Sequence, residues 1–190
     1  MMATDLLEAR KLTMAELEAA WDSLLTSPQD LGTVEMIVRR PEVEEREILD
    51  EGELDLAEGL VGDNWRTRGS SRTTNGLGHP EMQLNIMNAR VLDLVAQGKE
   101  RWHLAGDQFI VDLDLSQANL PPGTRLAMGS AVIEVTPIPH TGCAKFVARF
   151  GADAMKFVNS PQGKVHRLRG LNAKVVVPGV VRVGDVVRKV

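Results

Sequence analysis

Hydrophobic residues fall into two regimes along the chain, one spaced like a helix and one alternating like strands. From Asp5 to about Leu25, the residues Leu6, Leu7, Leu12, Leu17, Trp21, Leu24 and Leu25 recur mostly at helical spacing. Thr13-Met14-Ala15-Glu16 reads as a capping box, in which Thr13 and Glu16 satisfy each other's backbone amides, so a helix is expected to start there. Ser27-Pro28 ends it, because the residue before a proline disfavours the helical conformation. Beyond Gly32 the pattern changes. Residues 33–40 read as a strand rich in β-branched side chains, closed by Pro41. Residues 82–87 and 109–115 alternate. Asn88 is placed to cap a short helix through Val91, Leu92, Val95 and Ala96, ended by Gly98. Residues 125–130 and 131–136 pair around a tight Gly129-Ser130 connection. Residues 173–187 supply two or three further strands around Pro178-Gly179 and Gly184-Asp185. Many short strands with regular turns predict a mainly β, α+β fold, a barrel or sandwich with accessory helices. The division expected is a helical N-terminal extension over residues 1–31 and a β domain over residues 32–190.

The polar segments between these elements carry most of the charge. Residues 42–58 hold Glu42, Glu44, Glu45, Glu47, Asp50, Glu51, Glu53, Asp55 and Glu58, and are expected to form the solvated face of a short helix or loop. The run has no histidine and no regular ligand spacing, which argues against a metal cluster. Residues 59–65 make a Gly-rich turn. Residues 66–79 read as a long polar loop with Arg66, Arg68, Arg72, Ser70, Ser71, Thr73, Thr74 and Asn75. Two readings of it stand open: an exposed flexible loop, or a seat for an anion such as a phosphate.

Composition narrows the classes. The chain has 190 residues, 43% of them hydrophobic and 25% charged, as in ordinary globular proteins. One cysteine, Cys143, excludes an intrachain disulfide and a multi-cysteine zinc site. A lone free thiol fits a reducing cytoplasm. A net charge of −4 gives no general attraction to nucleic acid or anionic lipid, and aromatics at 4% leave few stacking platforms. No apolar run approaches the roughly 20 residues that span a bilayer. The start, Met1-Met2-Ala3-Thr4-Asp5, lacks the features of a secretory signal. The expectation is a soluble, cytoplasmic protein with neither nucleic acid nor membrane as partner. Nucleotide-binding glycine motifs, zinc-protease motifs and the serine nucleophile elbow are absent from the sequence. The histidines His79, His103, His140 and His166 are scattered.

The stretch from Thr136 to Phe146 is the most informative. His140 precedes Cys143 by three residues and Lys145 follows it by two. A cation near a thiol favours thiolate, the nucleophilic and metal-binding form. A buried, inert cysteine is the other reading.

At these residues the sequence resembles the MOSC domain family, the type of domain found at the C-terminus of molybdenum cofactor sulfurase. Gly59-Leu60-Val61-Gly62-Asp63 resembles the family's early GLxGD turn. Residues 122–136 resemble its strand pair, and Pro139 through Phe146 resemble the P-R-x-x-C-x-K-L segment, with Cys143 at the signature cysteine. Residues 169–175 and 179–187 resemble the closing pattern. His140 stands where the family places arginine, and residues 105–109 stand where it has GEN-x-(T/S).

The resemblance, which covers residues 33 to 190, implies a MOSC-like β-barrel. It also implies binding of the molybdenum cofactor (molybdopterin), or carriage of sulfur destined for metal–sulfur centres. In some members the cysteine sulfur coordinates molybdenum, and those members reduce N-hydroxylated compounds. Cys143 is then the metal ligand or persulfide site, with His140 and Lys145 tuning it. Arg66, Arg68, Arg72, His79, Arg169 and Asn172 are the candidate cofactor contacts, with Lys145 a further phosphate contact. A separate cysteine desulfurase or a redox protein is the implied partner. Desulfurase chemistry occupies a separate domain in that family, so no pyridoxal-phosphate catalysis is expected within a chain of this length. The alternative is a non-catalytic ligand- or partner-binding module on the same barrel, using Leu17, Trp21 and Leu25 for contacts with a second copy or another chain.

Overall fold

The computed structural model describes residues 9–70 and 72–190. The helical positions Leu6 and Leu7, the start at residues 1–5 and the loop position Ser71 lie outside them. Two short helices come first, α1 (Met14–Ala19) and α2 (Trp21–Leu24). The capping box at the start of α1 forms as its sequence predicts: Thr13 and Glu16 each bond the other's backbone amide.

The strands follow as β1 (Gly32–Arg39), β2 (Glu47–Leu49), β3 (Glu51–Asp55) and β4 (Gly59–Leu60). After the helical turn α3 (Trp65–Arg68) come β5 (Leu84–Asn88), helix α4 (Ala89–Ala96) and β6 (Phe109–Asp112). Then come β7 (Arg125–Met128) and β8 (Ala131–Pro139). Three consecutive helices intervene, α5 (Ala144–Phe150), α6 (Ala152–Val158) and α7 (Pro161–Val165). The chain ends in β9 (Leu171–Val177), β10 (Gly179–Arg182) and β11 (Val186–Lys189).

Seven strands close a barrel in the order β1, β11, β7, β8, β9, β5, β6 and back to β1, with β2 flanking β1 outside the ring. Among the described strands only β5 and β6 pair in parallel, and α4 lies in their crossover. A second small sheet, β10-β3-β4, lies beside it. The architecture is the mixed barrel with accessory helices that the strand pattern predicts.

Two apolar layers hold this together. Inside the barrel, Val34, Ile37, Leu84, Ile86, Phe109, Val111, Leu126, Ile133 and Val135 pack with one another. On its outer face, Met36, Val38, Met87 and Ile110 meet Leu17, Leu24, Leu92, Phe146, Phe150 and Phe157 from the helices. A strand covered on both sides loses its polar alternation, which is why Met36-Ile37-Val38 is unbroken in hydrophobicity. A register shift between Val34 and Met36 lets Val34 and Ile37, an odd spacing apart, share the interior. Trp21 of α2 packs edge-on against Phe157 of α6, with ring centroids 5.6 Å apart.

Three segments differ from their sequence-based expectations. The acidic run is loop only in part: Glu42, Glu44, Glu45 and Glu58 lie in exposed turns and coil, whereas Glu47, Glu51 and Glu53 are exposed positions of β2 and β3, whose apolar Leu49 and Leu54 face inward. The polar stretch after Asn64 opens with the helical turn α3, so Arg66 and Arg68 stand on a helix rather than in a loop. Residues 144–165 form three helices where the strand-counting pattern offers none.

By contrast, the β7–β8 hairpin forms as expected. Met128 pairs directly with Ala131 across Gly129-Ser130, and Gly129 takes the left-handed φ of 55° that such a two-residue turn demands. Asn88 caps α4 by accepting from the Val91 amide.

Candidate functional site

The GLxGD-like turn delivers Asp63 to the end of β1. Arg40, 3% exposed, donates to Asp63 from Nε and Nη2 at 2.8 Å each, and from its backbone amide at 3.0 Å. Asp63 Oδ1 also accepts from the Trp65 amide. The remaining Arg40 nitrogen donates to the Gly106 carbonyl at 2.8 Å and to Asn85 Oδ1 at 3.3 Å. Asn85 passes the bonding on, donating to Asn172 Oδ1 at 2.6 Å, and Asn172 donates to the Ile138 carbonyl at 2.9 Å. One buried relay thus ties the turn after β4 to β1, β5, β9 and the end of β8. Every one of these groups has partners, so the relay fixes the end of β8 and with it the strap at residues 140–143 that follows.

A second ion pair lies beside it. Asp107, fully buried, accepts from Arg169 Nη1 at 2.9 and 2.8 Å. His140 Nε2 lies 3.0 Å from Asp107 Oδ1, close enough for an ion pair but not directed to make a hydrogen bond. Burial alone would raise the Asp107 carboxyl; the Arg169 guanidinium and His140 outweigh it and hold it at about 2. Burial pushes the His140 imidazole below the ordinary histidine range, and Arg169 adds to the effect against the pull of Asp107. His140 is therefore neutral at neutral pH. The Arg169 guanidinium stacks on Phe146 of α5, 5.0 Å from the ring centroid, which couples this pair to the helix that Cys143 begins.

Cys143 occupies the N-cap of α5, and its thiol is exposed and makes no capping bond. The strap before it is held against α6: the Gly142 amide donates to Asn159 Oδ1, and a β-carbon at Gly142 would sit 2.3 Å from Met155 Sδ. The cations predicted to flank the thiol are engaged elsewhere. The Lys145 ammonium pairs with Glu44, which also receives Arg149, and His140 is turned to Asp107. The cation in electrostatic reach of Cys143 is Arg68. Its guanidinium is pushed down from its ordinary range by crowding, then by Arg40, with Asp63 and Cys143 opposing. The side chain still reaches solvent, which limits that effect. Among the described residues Arg66, Arg68 and Arg72 are exposed with no ion pair or side-chain hydrogen bond, so all three remain available to an anion.

Two other predicted positions have internal partners. His79 Nδ1 accepts from the Glu81 amide as the cap of a short 3₁₀ turn. Asn172 is buried in the relay.

Sequence reading named none of Arg40, Arg46, His103, Asp107 or Arg149 as a site residue and gave Asp63 only as part of the GLxGD-like turn; the fold gathers all six here. Arg46 is pushed down by burial, then by repulsion from Arg149 and Arg40. His103 is pushed down by burial, with Arg46 and Arg149 adding to it. Arg149 donates to the Leu104 carbonyl at 2.7 Å. Their convergence is long-range and has no local signal; only Asp63, inside the GLxGD-like turn, was marked by a motif.

Unpaired atoms mark the site most clearly. Among the described residues, the buried side-chain polar atoms without a partner are Arg46 Nε, Asn64 Oδ1, Trp65 Nε1, His103 Nδ1, His140 Nε2 and Arg169 Nε. All belong to this neighbourhood of Arg40, Asp63 and Asp107. Buried polar groups are normally bonded, so a cluster of exceptions points to a place where a ligand or water completes the bonding. Among the described residues no three His, Cys, Asp or Glu side chains converge to hold a metal ion, and no helix is long and apolar enough to cross a membrane.

Comparison with known proteins places the fold. The family model of the MOSC domain matches residues 73–188. Among solved structures, the YuaD protein from Bacillus subtilis is similar, with a TM-score of 0.57 and 16% identity over 82% of this chain and 93% of that one. YiiM from Escherichia coli is similar with a TM-score of 0.53 and 21% identity over 83% of this chain and 69% of that one. YiiM from Geobacillus stearothermophilus gives 0.53 and 14% identity, over 86% and 74%. At these identities the likeness shows the fold. No curated protein matches the chain.

Proposed function

The chain belongs to the MOSC domain family, whose members bind the molybdenum cofactor or act in sulfur transfer, and from that premise we propose that it binds the molybdenum cofactor at the Cys143–Arg68 rim. The observation that carries the reading is an exposed thiol with, in its electrostatic reach, a guanidinium that forms no ion pair among the described residues. The residues present fit the group. A metal held by one protein thiolate must bring most of its ligands with it, and a pterin dithiolene does so. The phosphate of the cofactor needs donors, which Arg66, Arg68 and Arg72 offer. The unpaired nitrogens of Arg46, Trp65 and His103 supply buried donors beside them.

Bound there, the cofactor would contribute a redox-active metal with its own sulfur ligands. The chain's part is to offer the Cys143 sulfur as one further soft ligand and to neutralise anionic charge with Arg68. The Arg40–Asp63 relay keeps the strap in place beneath them. Neutral His140, with an unpaired Nε2 beside Asp107, is held in the uncharged form by burial and by Arg169. The activity to assay is reduction of N-hydroxylated compounds with an external electron donor.

The test is molybdenum content and pterin fluorescence of protein expressed in a host that makes the cofactor. Wild type should carry both, and Cys143→Ser should lose molybdenum while folding normally. Metal retained at the wild-type level by Cys143→Ser removes Cys143 as the ligand.

The exposure of the thiol also favours a second reading, sulfur carriage. In that case a desulfurase persulfide gives its outer sulfur to Cys143. A bond forms to Sγ as the donor's S–S bond breaks, and the donor thiolate departs. Cyanide-releasable sulfur on wild type but not on Cys143→Ser, in protein without molybdenum, would select it.

A further inference from the structure

A cavity of about 500 Å³ opens between the end of β8 and the segment from α7 to β9. Cys143, Arg66, Arg68 and Arg72 do not line it, so it is not the rim assigned above. Its charged lining is one-signed: Lys164, Arg167 and Arg169 face it, with His140, and among the described residues no aspartate or glutamate does.

These cations are incompletely compensated. Arg169 gives Nη1 to Asp107, but its buried Nε has no partner. Arg167 uses Nη1 on the Leu115 and Leu120 carbonyls and has no carboxylate. It is also held at a left-handed φ of 48°, a conformation that disfavours a non-glycine residue. The exposed Lys164 ammonium has neither ion pair nor hydrogen bond among the described residues. The buried Arg169 Nε is a donor without an acceptor, and among the described residues no carboxylate offsets Arg167 or Lys164, so an anion in the cavity would supply both the acceptor and the charge. The remaining wall is apolar, including Ile138, Val158 and Leu171. A few convergent polar groups in an apolar pocket of this size are the usual form of a small-molecule site.

We propose that this cavity is a second binding site, one that takes a small organic anion with a carboxylate or phosphate head against Arg167, Arg169 and Lys164 and an apolar body against Ile138, Val158 and Leu171. It does not depend on molybdenum binding at Cys143, although Arg169 and His140, whose unpaired buried nitrogens belong to the candidate site, line this cavity as well.

Titration calorimetry with phenyl phosphate, phenylacetate, inorganic phosphate and phenethylamine tests it. At least one of the two aromatic anions should bind, more tightly than inorganic phosphate, and the amine should not. Their relative affinity sorts the head group. Lys164→Glu, an exposed change that leaves the fold intact, should weaken binding at least tenfold. Lys156→Glu, on the exposed face of α6, should leave it within twofold and reports any general effect of charge. Absence of binding by both aromatic anions overturns the proposal. So does unchanged binding in Lys164→Glu, equal loss in Lys156→Glu, or inorganic phosphate binding as tightly as phenyl phosphate.

Discussion

Two polar regions meet at Arg40 and behave in opposite ways. In the relay from Asp63 through Arg40 and Asn85 to Asn172, each member is buried and bonded on both sides. On the rim, among the described residues, the Arg68 side chain has no hydrogen-bonding or ion-pair partner, the Cys143 thiol makes no capping bond, and buried nitrogens of Arg46, Trp65 and His103 stand unpaired. A satisfied buried network is structural, since its bonds are complete without anything added. An unsatisfied one costs stability in the free protein and recovers it when a ligand arrives. The difference separates residues that hold the site from residues that use it, though both are polar and close together.

The contrast can be broken most forcefully in the relay. Asp63→Ala leaves the buried Arg40 charge unpaired and should destabilise the fold by about 3–5 kcal/mol, read by urea unfolding. A loss under 1 kcal/mol would mean that water replaces the carboxylate and that the relay is not a framework. Asn172→Ala strips partners from Asn85 and from the Ile138 carbonyl and should cost roughly 1–3 kcal/mol. It should also weaken ligand binding indirectly by loosening the strap.

The titrating histidines give a third probe. His140 has a folded pKa below its unfolded value, so the fold favours the neutral form. Its contribution is fully present above the unfolded value of about 6.5 and is lost as pH falls from there towards the folded pKa. His103 acts in the same sense. Stability measured across that window should decline with acid, and His140→Gln should flatten the decline. Asp107 behaves as a depressed carboxylate: its contribution is present above about 4 and fades as pH falls through about 2. A steeper decline in His140→Gln would contradict the assignment of His140 as neutral.

The smallest stability effect belongs to the rim. Arg68→Ala should shift unfolding by no more than about 0.5 kcal/mol, since no bond is lost. Its effect should fall on ligand binding.

Local signals were legible in the sequence and long-range ones were not. The capping box at Thr13, the Asn88 cap and the Gly129-Ser130 turn each depend on residues within four positions, and all three form. The closure of the barrel by β11 on β1 joins residues at opposite ends of the strand-rich region, and nothing in either segment names its partner. The helices α5 and α6 escaped a strand-based reading because their apolar face packs on the outside of the barrel, a surface that exists only after it closes. At the site, the exposed cysteine was marked by its flanking motif. The choice of Lys145 and His140 as its companions followed proximity in sequence. The fold instead uses Glu44 to engage Lys145 and Asp107 to turn His140, and brings Arg68 of α3 within electrostatic reach of the thiol.

The central claim is that the unpaired rim, and not the relay, receives the ligand. Molybdenum per chain, measured for Arg68→Ala after expression in a host that makes the cofactor and after its unfolding curve has been shown to match wild type, tests it most directly. The account predicts a molybdenum content reduced several-fold in a protein of unchanged stability. Molybdenum at the wild-type level in that variant would contradict it.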